Sequence, residues 1–153
     1  ALAISYRVIV AVGFRAQDIV NLKHWDERVV FVENKQYAKG MFSSVKVGAA
    51  QVKAPRFFIV LGDQPQIPLV VYQQLLSAKS ADVVQPAFLG KHGHPILLSE
   101  NVRQAILAAD ENDPAINLKT VLEPFRKRLV EVSEPGILVD MDTPEDYNII
   151  SRF

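Results

Sequence analysis

The stretch that decides the fold is RFFIVLGDQP, residues 56–65. The five residues after Arg56 are all apolar, without alternation, which is typical of a strand buried on both faces of a parallel sheet. Gly62 ends the strand and Asp63 follows it. We therefore predict a central parallel strand over 56–61. Its carboxyl end is where open α/β sheets bind their ligands, so Asp63 is a candidate site residue.

Outward from this strand, short β-branched runs alternate with helical patterns along the chain. Further strands are predicted at 7–12, 28–32, 81–85, 94–98, 128–133 and 136–140. Helices are predicted at 15–22, 41–52, 68–79, 100–109 and 115–126, with a last helix after Thr143. Repeated strand-helix-strand units imply parallel strands joined by right-handed crossovers. The sequence predicts one three-layer α/β domain with a mostly parallel sheet.

Composition limits the function classes. The 153 residues carry 17 Lys and Arg against 17 Asp and Glu, so the net charge is zero. Such a balance gives no general attraction to nucleic acid or to an anionic membrane, and we expect neither as a partner. Cysteine is absent, which excludes disulfides, thiolate metal sites and cysteine nucleophiles. The chain opens without a leader pattern and has no apolar run of ~20 residues. We expect a cytoplasmic protein.

Carboxylates suggest a divalent-metal site. Asp140 and Asp142 share one face if their segment is extended, because strand side chains alternate with period two. Together with Asp63 they would offer the oxygen ligands that Mg²⁺ takes beside substrate phosphates. Asp63 has a plainer alternative, because it can cap the turn into Pro65. Residues 143–146 resemble a helix start with a Thr cap, Pro and acidic residues, which does not account for Asp140 and Asp142.

Two further stretches suit polar ligands. Asn34 and the segment GMFSS, residues 40–44, precede a helix, where backbone N–H groups and hydroxyls can bind an anion. Plain capping by Ser43 or Ser44 is the alternative. The segment GKHGHP, residues 90–95, offers two imidazoles and an ammonium beside its two glycines. It suits a phosphate or a polar heterocycle, or it is simply a turn into the next strand.

These stretches together resemble a known family. Four motifs occur in order over nearly the whole chain: Asn34 with GMFSS at 40–44, LGDQP at 61–65, GHP at 93–95 and DMDTPEDY at 140–147. They resemble the molybdenum cofactor cytidylyltransferase branch of the MobA-like nucleotidyltransferases. The resemblance implies a Rossmann-like nucleotidyltransferase domain that moves CMP from CTP to molybdopterin and releases pyrophosphate, for cofactor maturation of a molybdenum hydroxylase.

The resemblance also implies roles for individual residues. Asp63 would hold Mg²⁺ between the nucleotide phosphates, and Asp140 or Asp142 would complete the metal site. The remaining residues would divide the crevice. The nucleotide side would take Gly40, Met41, Ser43 and Ser44, and the pterin side would take Gly93, His94 and Pro95. Asn34, Gln64 and Pro65 would be further binding residues.

Residues 1–153 depart from the family pattern at their start. The first strand and the glycine-rich loop that grips the triphosphate have no counterpart, so we expect a domain that lacks them. Two rival functions follow. One is a transferase with another phosphorylated acceptor. The other is an accessory protein that binds nucleotide or molybdenum cofactor without turnover.

Overall fold

The computed structural model describes residues 2–22, 24–78 and 81–141. They form two compact units, one within residues 2–57 and 99–125, the other within residues 58–98 and 126–141. Asp142 and the helix predicted after Thr143 lie outside the described residues. No helix in the described ranges is both long and apolar enough to cross a membrane.

The first unit is built on two parallel strands. Its elements are β1 (Val8–Val12), α1 (Ala16–Val20), β2 (Val29–Glu33), a 3₁₀ turn (Tyr37–Lys39), α2 (Met41–Ala50), α4 (Glu100–Ala108) and α5 (Leu118–Leu122). β1 pairs with β2 from Val8 opposite Val29 to Val12 opposite Glu33. Helix α2 packs on β1 and on α4, and α4 packs on α5. The apolar side chains at these contacts are buried: Val12, Phe42, Ala49, Val102, Ile106, Val121 and Leu122.

The second sheet has five strands. Its elements are β3 (Arg56–Ile59), α3 (Leu69–Ser77), β4 (Val83–Phe88), β5 (Lys91–His92), β6 (Ile96–Ser99), β7 (Lys127–Glu131) and a 3₁₀ turn (Pro135–Leu138). The strand order is β3-β6-β4-β5, with β7 also paired to β4. β4 is antiparallel to β5 and β6 and parallel to β7. Fully buried side chains on α3, β4, β6 and the 3₁₀ turn form the core: Val71, Leu75, Val83, Val84, Leu97, Leu98 and Ile137.

Two sequence predictions are wrong in the described structure. β3 ends the strand order instead of lying at its centre, and its residues are only half-buried. The predicted strand at 136–140 is instead the 3₁₀ turn with Pro135 at its first position. Proline has a fixed φ near −65° and no N–H, so it favours the first position of a turn over the interior of a strand. Asp140 therefore follows a turn.

Candidate functional site

Asp63 and Asp140 are brought together in the second unit. The segment after β3 carries Asp63, and the segment after the last 3₁₀ turn carries Asp140. The Met141 N–H donates to the Asp63 carbonyl at 2.8 Å, and Gln64 Nε2 donates to Asp140 Oδ1 at 2.6 Å. Both aspartates are exposed, so their carboxylates are open to a ligand. Two of the four sequence motifs thus meet at one place.

The His94 imidazole lies within electrostatic range of the same two carboxylates. Burial lowers the pKa of His94, while the negative charges of Asp140 and Asp63 act in the opposite direction. Its backbone N–H donates to the Ile137 carbonyl at 3.2 Å, which ties the turn before β6 to the 3₁₀ turn. A half-buried imidazole whose pKa is lowered is neutral at pH 7, so it can both donate and accept a hydrogen bond.

Close packing holds this turn in place. A Cβ on Gly93 would lie 2.3 Å from the Ile137 carbonyl oxygen, so only glycine fits. Gln85 Nε2 donates to the Gly93 carbonyl at 3.1 Å. Pro95 is fully buried and follows a cis peptide bond, whereas Pro65 is exposed. Of the two motif prolines, Pro65 is therefore the one that a ligand could reach.

We expect stability to respond to pH through His94. The folded protein disfavours the imidazolium, so as the pH falls below about 6.5 the unfolded chain binds a proton that the folded chain does not. Stability is then lost on acidification, from about pH 6.5 down to the lowered pKa of the folded state. His94→Asn should lose less stability than the wild type between pH 7.5 and 5.5. Urea unfolding without divalent cations measures this, and equal losses in both proteins would contradict it.

The carboxylates suit a hard cation. The described residues contain no group of three or more His, Cys, Asp or Glu able to hold a metal ion. The pair Asp63 and Asp140 is nevertheless the donor set that Mg²⁺ usually takes from a protein, namely one or two carboxylates with the rest from water and substrate phosphates. Asp142, the third predicted ligand, lies outside the described residues. In ligand type, this pair agrees with the cation that the sequence predicts.

The remaining motif, Asn34 with residues 40–44, forms a buried network in the first unit. Asn34 is 1% exposed. Its Nδ2 donates to Ser43 Oγ at 2.8 Å and to Ser44 Oγ at 2.9 Å, and its Oδ1 accepts from the Gln36 N–H at 2.9 Å. Its backbone N–H reaches the Val12 carbonyl at 2.7 Å. Asn34 therefore joins the ends of both parallel strands to the first turn of α2.

The start of α2 has an inner and an outer side. The Ser43 hydroxyl donates to the Gly40 carbonyl at 2.8 Å, which leaves Ser43 fully engaged inside the protein. Gly40 is exposed with a φ of 99°, a conformation that favours glycine. Met41 is 67% exposed. The predicted alternative of capping by Ser43 or Ser44 is wrong, because Gly40 is the N-cap of α2 and no side chain caps it. Internal hydrogen bonds hold Ser43, whereas Gly40 and Met41 present the turn to solvent.

Removing the Asn34 side chain should destabilise the first unit. Asn34→Ala leaves the Gln36 N–H without its acceptor and removes the donor to the Ser43 and Ser44 hydroxyl oxygens. We expect the free energy of unfolding to fall by about 1–3 kcal/mol. Urea unfolding followed by circular dichroism is the measurement. Asn101→Ala, on the exposed side of α4, is the control and should stay within about 0.5 kcal/mol of the wild type. A similar result for both variants would contradict the network's role.

Sequence reasoning missed Gln66. Its Nε2 donates to the carbonyls of Gly136 and Val139, at 3.1 and 2.6 Å, and so holds both ends of the last 3₁₀ turn. The only local signal was its position, three residues after Asp63 in a segment that has glutamines at alternate positions.

Comparisons with known proteins show the family to which the chain is similar. The family model described as the MobA-like NTP transferase domain matches residues 2–131. The molybdenum cofactor cytidylyltransferase of Escherichia coli is 26% identical over 147 residues, which are 96% of this chain and 75% of that protein. The purine catabolism protein PucB of Bacillus subtilis is 25% identical over 130 residues, covering 85% of this chain and 63% of that protein.

Solved structures support the fold. The 4-diphosphocytidyl-2C-methyl-D-erythritol synthase of Anaerococcus prevotii superposes with a TM-score of 0.75 at 12% identity, over 94% of this chain and 79% of that one. The predicted Rossmann-like α/β nucleotidyltransferase fold is thereby confirmed.

Proposed function

Because this chain belongs to the family of MobA-like NTP transferase domains, and is therefore a nucleotidyltransferase, we propose that it moves CMP from CTP to molybdopterin. The meeting of Asp63, His94 and Asp140 in one place carries this proposal. The E. coli cytidylyltransferase, at 26% identity, supports the choice of nucleotide and acceptor. A cytoplasmic site of action and delivery of the product to a molybdenum hydroxylase belong to the same proposal.

The reaction needs no protein nucleophile. An oxygen of the acceptor phosphate attacks the α-phosphorus of CTP. The bond from that phosphorus to the oxygen bridging to the β-phosphate breaks, and pyrophosphate leaves with the bonding electrons. The attacking phosphate is already ionised at neutral pH, so catalysis rests on positioning and charge neutralisation. This agrees with a site whose side chains are two carboxylates and a neutral imidazole.

Each part of the site has a proposed task. Asp63 and Asp140 would hold Mg²⁺, together with Asp142 if the third predicted ligand takes part. When bound, the cation would neutralise charge on the nucleotide phosphates. Gly40 and Met41, on the turn that Asn34, Ser43 and Ser44 brace, would line the nucleotide. Gln64 and Pro65 lie beside the metal site. Gly93 and Pro95 would hold His94 towards the acceptor.

The direct test is a turnover assay. Purified protein is incubated with α-³²P-labelled CTP, molybdopterin and Mg²⁺, and the labelled dinucleotide and pyrophosphate are separated and counted. We expect both products with CTP, little product with GTP, and none with EDTA. Products from CTP with another phosphorylated acceptor, and none with molybdopterin, would make the chain a cytidylyltransferase of different acceptor class. No turnover with any nucleotide would refute the proposal.

Substitution of His94 should weaken binding of the acceptor more than binding of CTP. His94→Ala removes a neutral hydrogen-bonding group, and we expect the KM for the acceptor to rise about tenfold, the effect of roughly one hydrogen bond. The KM for CTP should change less than twofold. Steady-state kinetics with each substrate varied in turn measures both constants. Equal increases would contradict the division of the site between acceptor and nucleotide.

A further inference from the structure

Gln64 combines burial, a hydrogen bond to a site carboxylate and an unpaired oxygen. The residue is 5% exposed. Its Nε2 donates to Asp140 Oδ1 at 2.6 Å. Its Oε1 is buried and has no hydrogen-bond partner within the described part of the chain. Buried polar atoms nearly always find partners, so an exception calls for a physical explanation.

The explanation lies in the Asp140 carboxylate. An ionised carboxylate only accepts hydrogen bonds, so the NH₂ end of the Gln64 amide must face it. The carbonyl end then points away, to where no donor among the described residues reaches it. Turning the amide over would set its oxygen against a carboxylate oxygen. The fold keeps the bond to Asp140 although a buried acceptor is left unpaired, which is unfavourable for stability.

The bond restrains an otherwise exposed carboxylate. Only Oδ1 of Asp140 is engaged by Gln64, so Oδ2 is left for another ligand. The backbone that carries Asp140 is held as well, by Gln66 at Gly136 and Val139 and by the Met141 N–H at Asp63. Residues 63–66 therefore fix both the backbone and the carboxylate of Asp140.

We propose that Gln64 is a positioning residue, which holds Asp140 by one oxygen so that the other is presented to the divalent cation. This inference rests on the proposed function, because it takes Asp140 to be a cation ligand. Hydrogen-bond partners of metal ligands orient those ligands, and their loss typically lowers metal affinity about 10–100-fold. Gln64 acts through Asp140 and touches neither the cation nor the phosphates.

Gln64→Met tests the role, because methionine keeps the length of the side chain and removes both the donor and the unpaired acceptor. Mn²⁺ serves as the probe, since it prefers the same oxygen ligands as Mg²⁺ and is paramagnetic. Free Mn²⁺ is titrated by electron paramagnetic resonance in the presence of CTP and without acceptor. We expect Mn²⁺ affinity to fall about 10–100-fold, while Tm stays equal to or above that of the wild type.

Gln104→Met is the matched control. Gln104 Nε2 also donates to a carboxylate, Glu100 Oε1 at 2.7 Å, but on helix α4 of the other unit. Its variant should bind Mn²⁺ like the wild type. Wild-type affinity in Gln64→Met would overturn the inference, as would a lowered Tm with unchanged affinity, because that result describes a purely structural residue.

A second comparison tests whether the effect passes through Asp140. In an Asp140→Ala background, Gln64→Met should change Mn²⁺ affinity less than twofold, because the group it positions is gone. An equal loss in both backgrounds would overturn the inference. If the wild type and Gln104→Met also fail to bind Mn²⁺, the proposed function itself fails and the inference falls with it. That pattern differs from a failure of Gln64 alone.

Discussion

Asp63→Asn should lower turnover on the order of 10²–10³-fold, the size of effect seen when one preorganised electrostatic group is removed from an active site. The substitution keeps the volume and removes the charge that would hold the cation. The side chain is exposed, and the bond from the Met141 N–H goes to the Asp63 backbone carbonyl, which asparagine retains. Tm and the circular dichroism spectrum should therefore match the wild type. The CTP turnover assay measures the loss.

Asp113→Asn is the control for this variant. Asp113 is also exposed, also lies in a turn near a proline, and its carboxylate accepts the Ala115 N–H at 2.9 Å. It belongs to the first unit, and its variant should keep wild-type turnover. Asp63→Asn with full activity would remove Asp63 from the metal site. Parallel losses in both variants would point to a general effect of charge.

Gly93→Ala should cause the largest loss of stability. Its Cβ would lie 2.3 Å from the Ile137 carbonyl oxygen and 2.8 Å from two Ile137 side-chain atoms. Backbone cannot move aside as the end of a side chain can, and the same carbonyl accepts the His94 N–H. Overpacking costs about 1–3 kcal/mol or more, and each kcal/mol corresponds to about 2–4 °C in Tm for a chain of this size. Thermal unfolding followed by circular dichroism is the measurement.

Gly48→Ala provides the opposite case. Gly48 lies inside helix α2, and a Cβ there meets nothing within 4 Å. Alanine is the better helix former by roughly 0.5–1 kcal/mol, so Tm should rise slightly. If Gly93→Ala were as stable as the wild type, the close approach of the two turns would be refuted. A fall in both variants would instead indicate that any added methyl group is harmful.

Elements of the fold that a local pattern determines could be predicted from the sequence. Strands β1 and β2 and helices α2 and α4 fall within a few residues of their predicted bounds, because apolar runs and helical spacing are local signals. Helix α5 is shorter than the predicted 115–126 and begins at a capping box formed by Asn117 and Thr120. β4 extends to Phe88 through Pro86, a residue that disfavours a strand interior.

Long-range relations could not be predicted in the same way. The order of strands that places β3 at the end of its sheet depends on pairing between distant segments. The position after a strand was enough to single out Asp63. The bond from Gln64 to Asp140 depends on how two remote loops meet, and no residue spacing encodes it.

The second unit is discontinuous in sequence, and this has a consequence for synthesis. Residues 99–125, which belong to the first unit, separate its two segments, and β7 pairs with β4 only across this interval. Ribosomes add roughly 5–20 residues per second from the N-terminus. The whole of the first unit has therefore been made before the strand that completes the second sheet emerges. Asp63 and His94 must wait for Asp140, so the proposed metal site can form only after residues 99–125 have been synthesised.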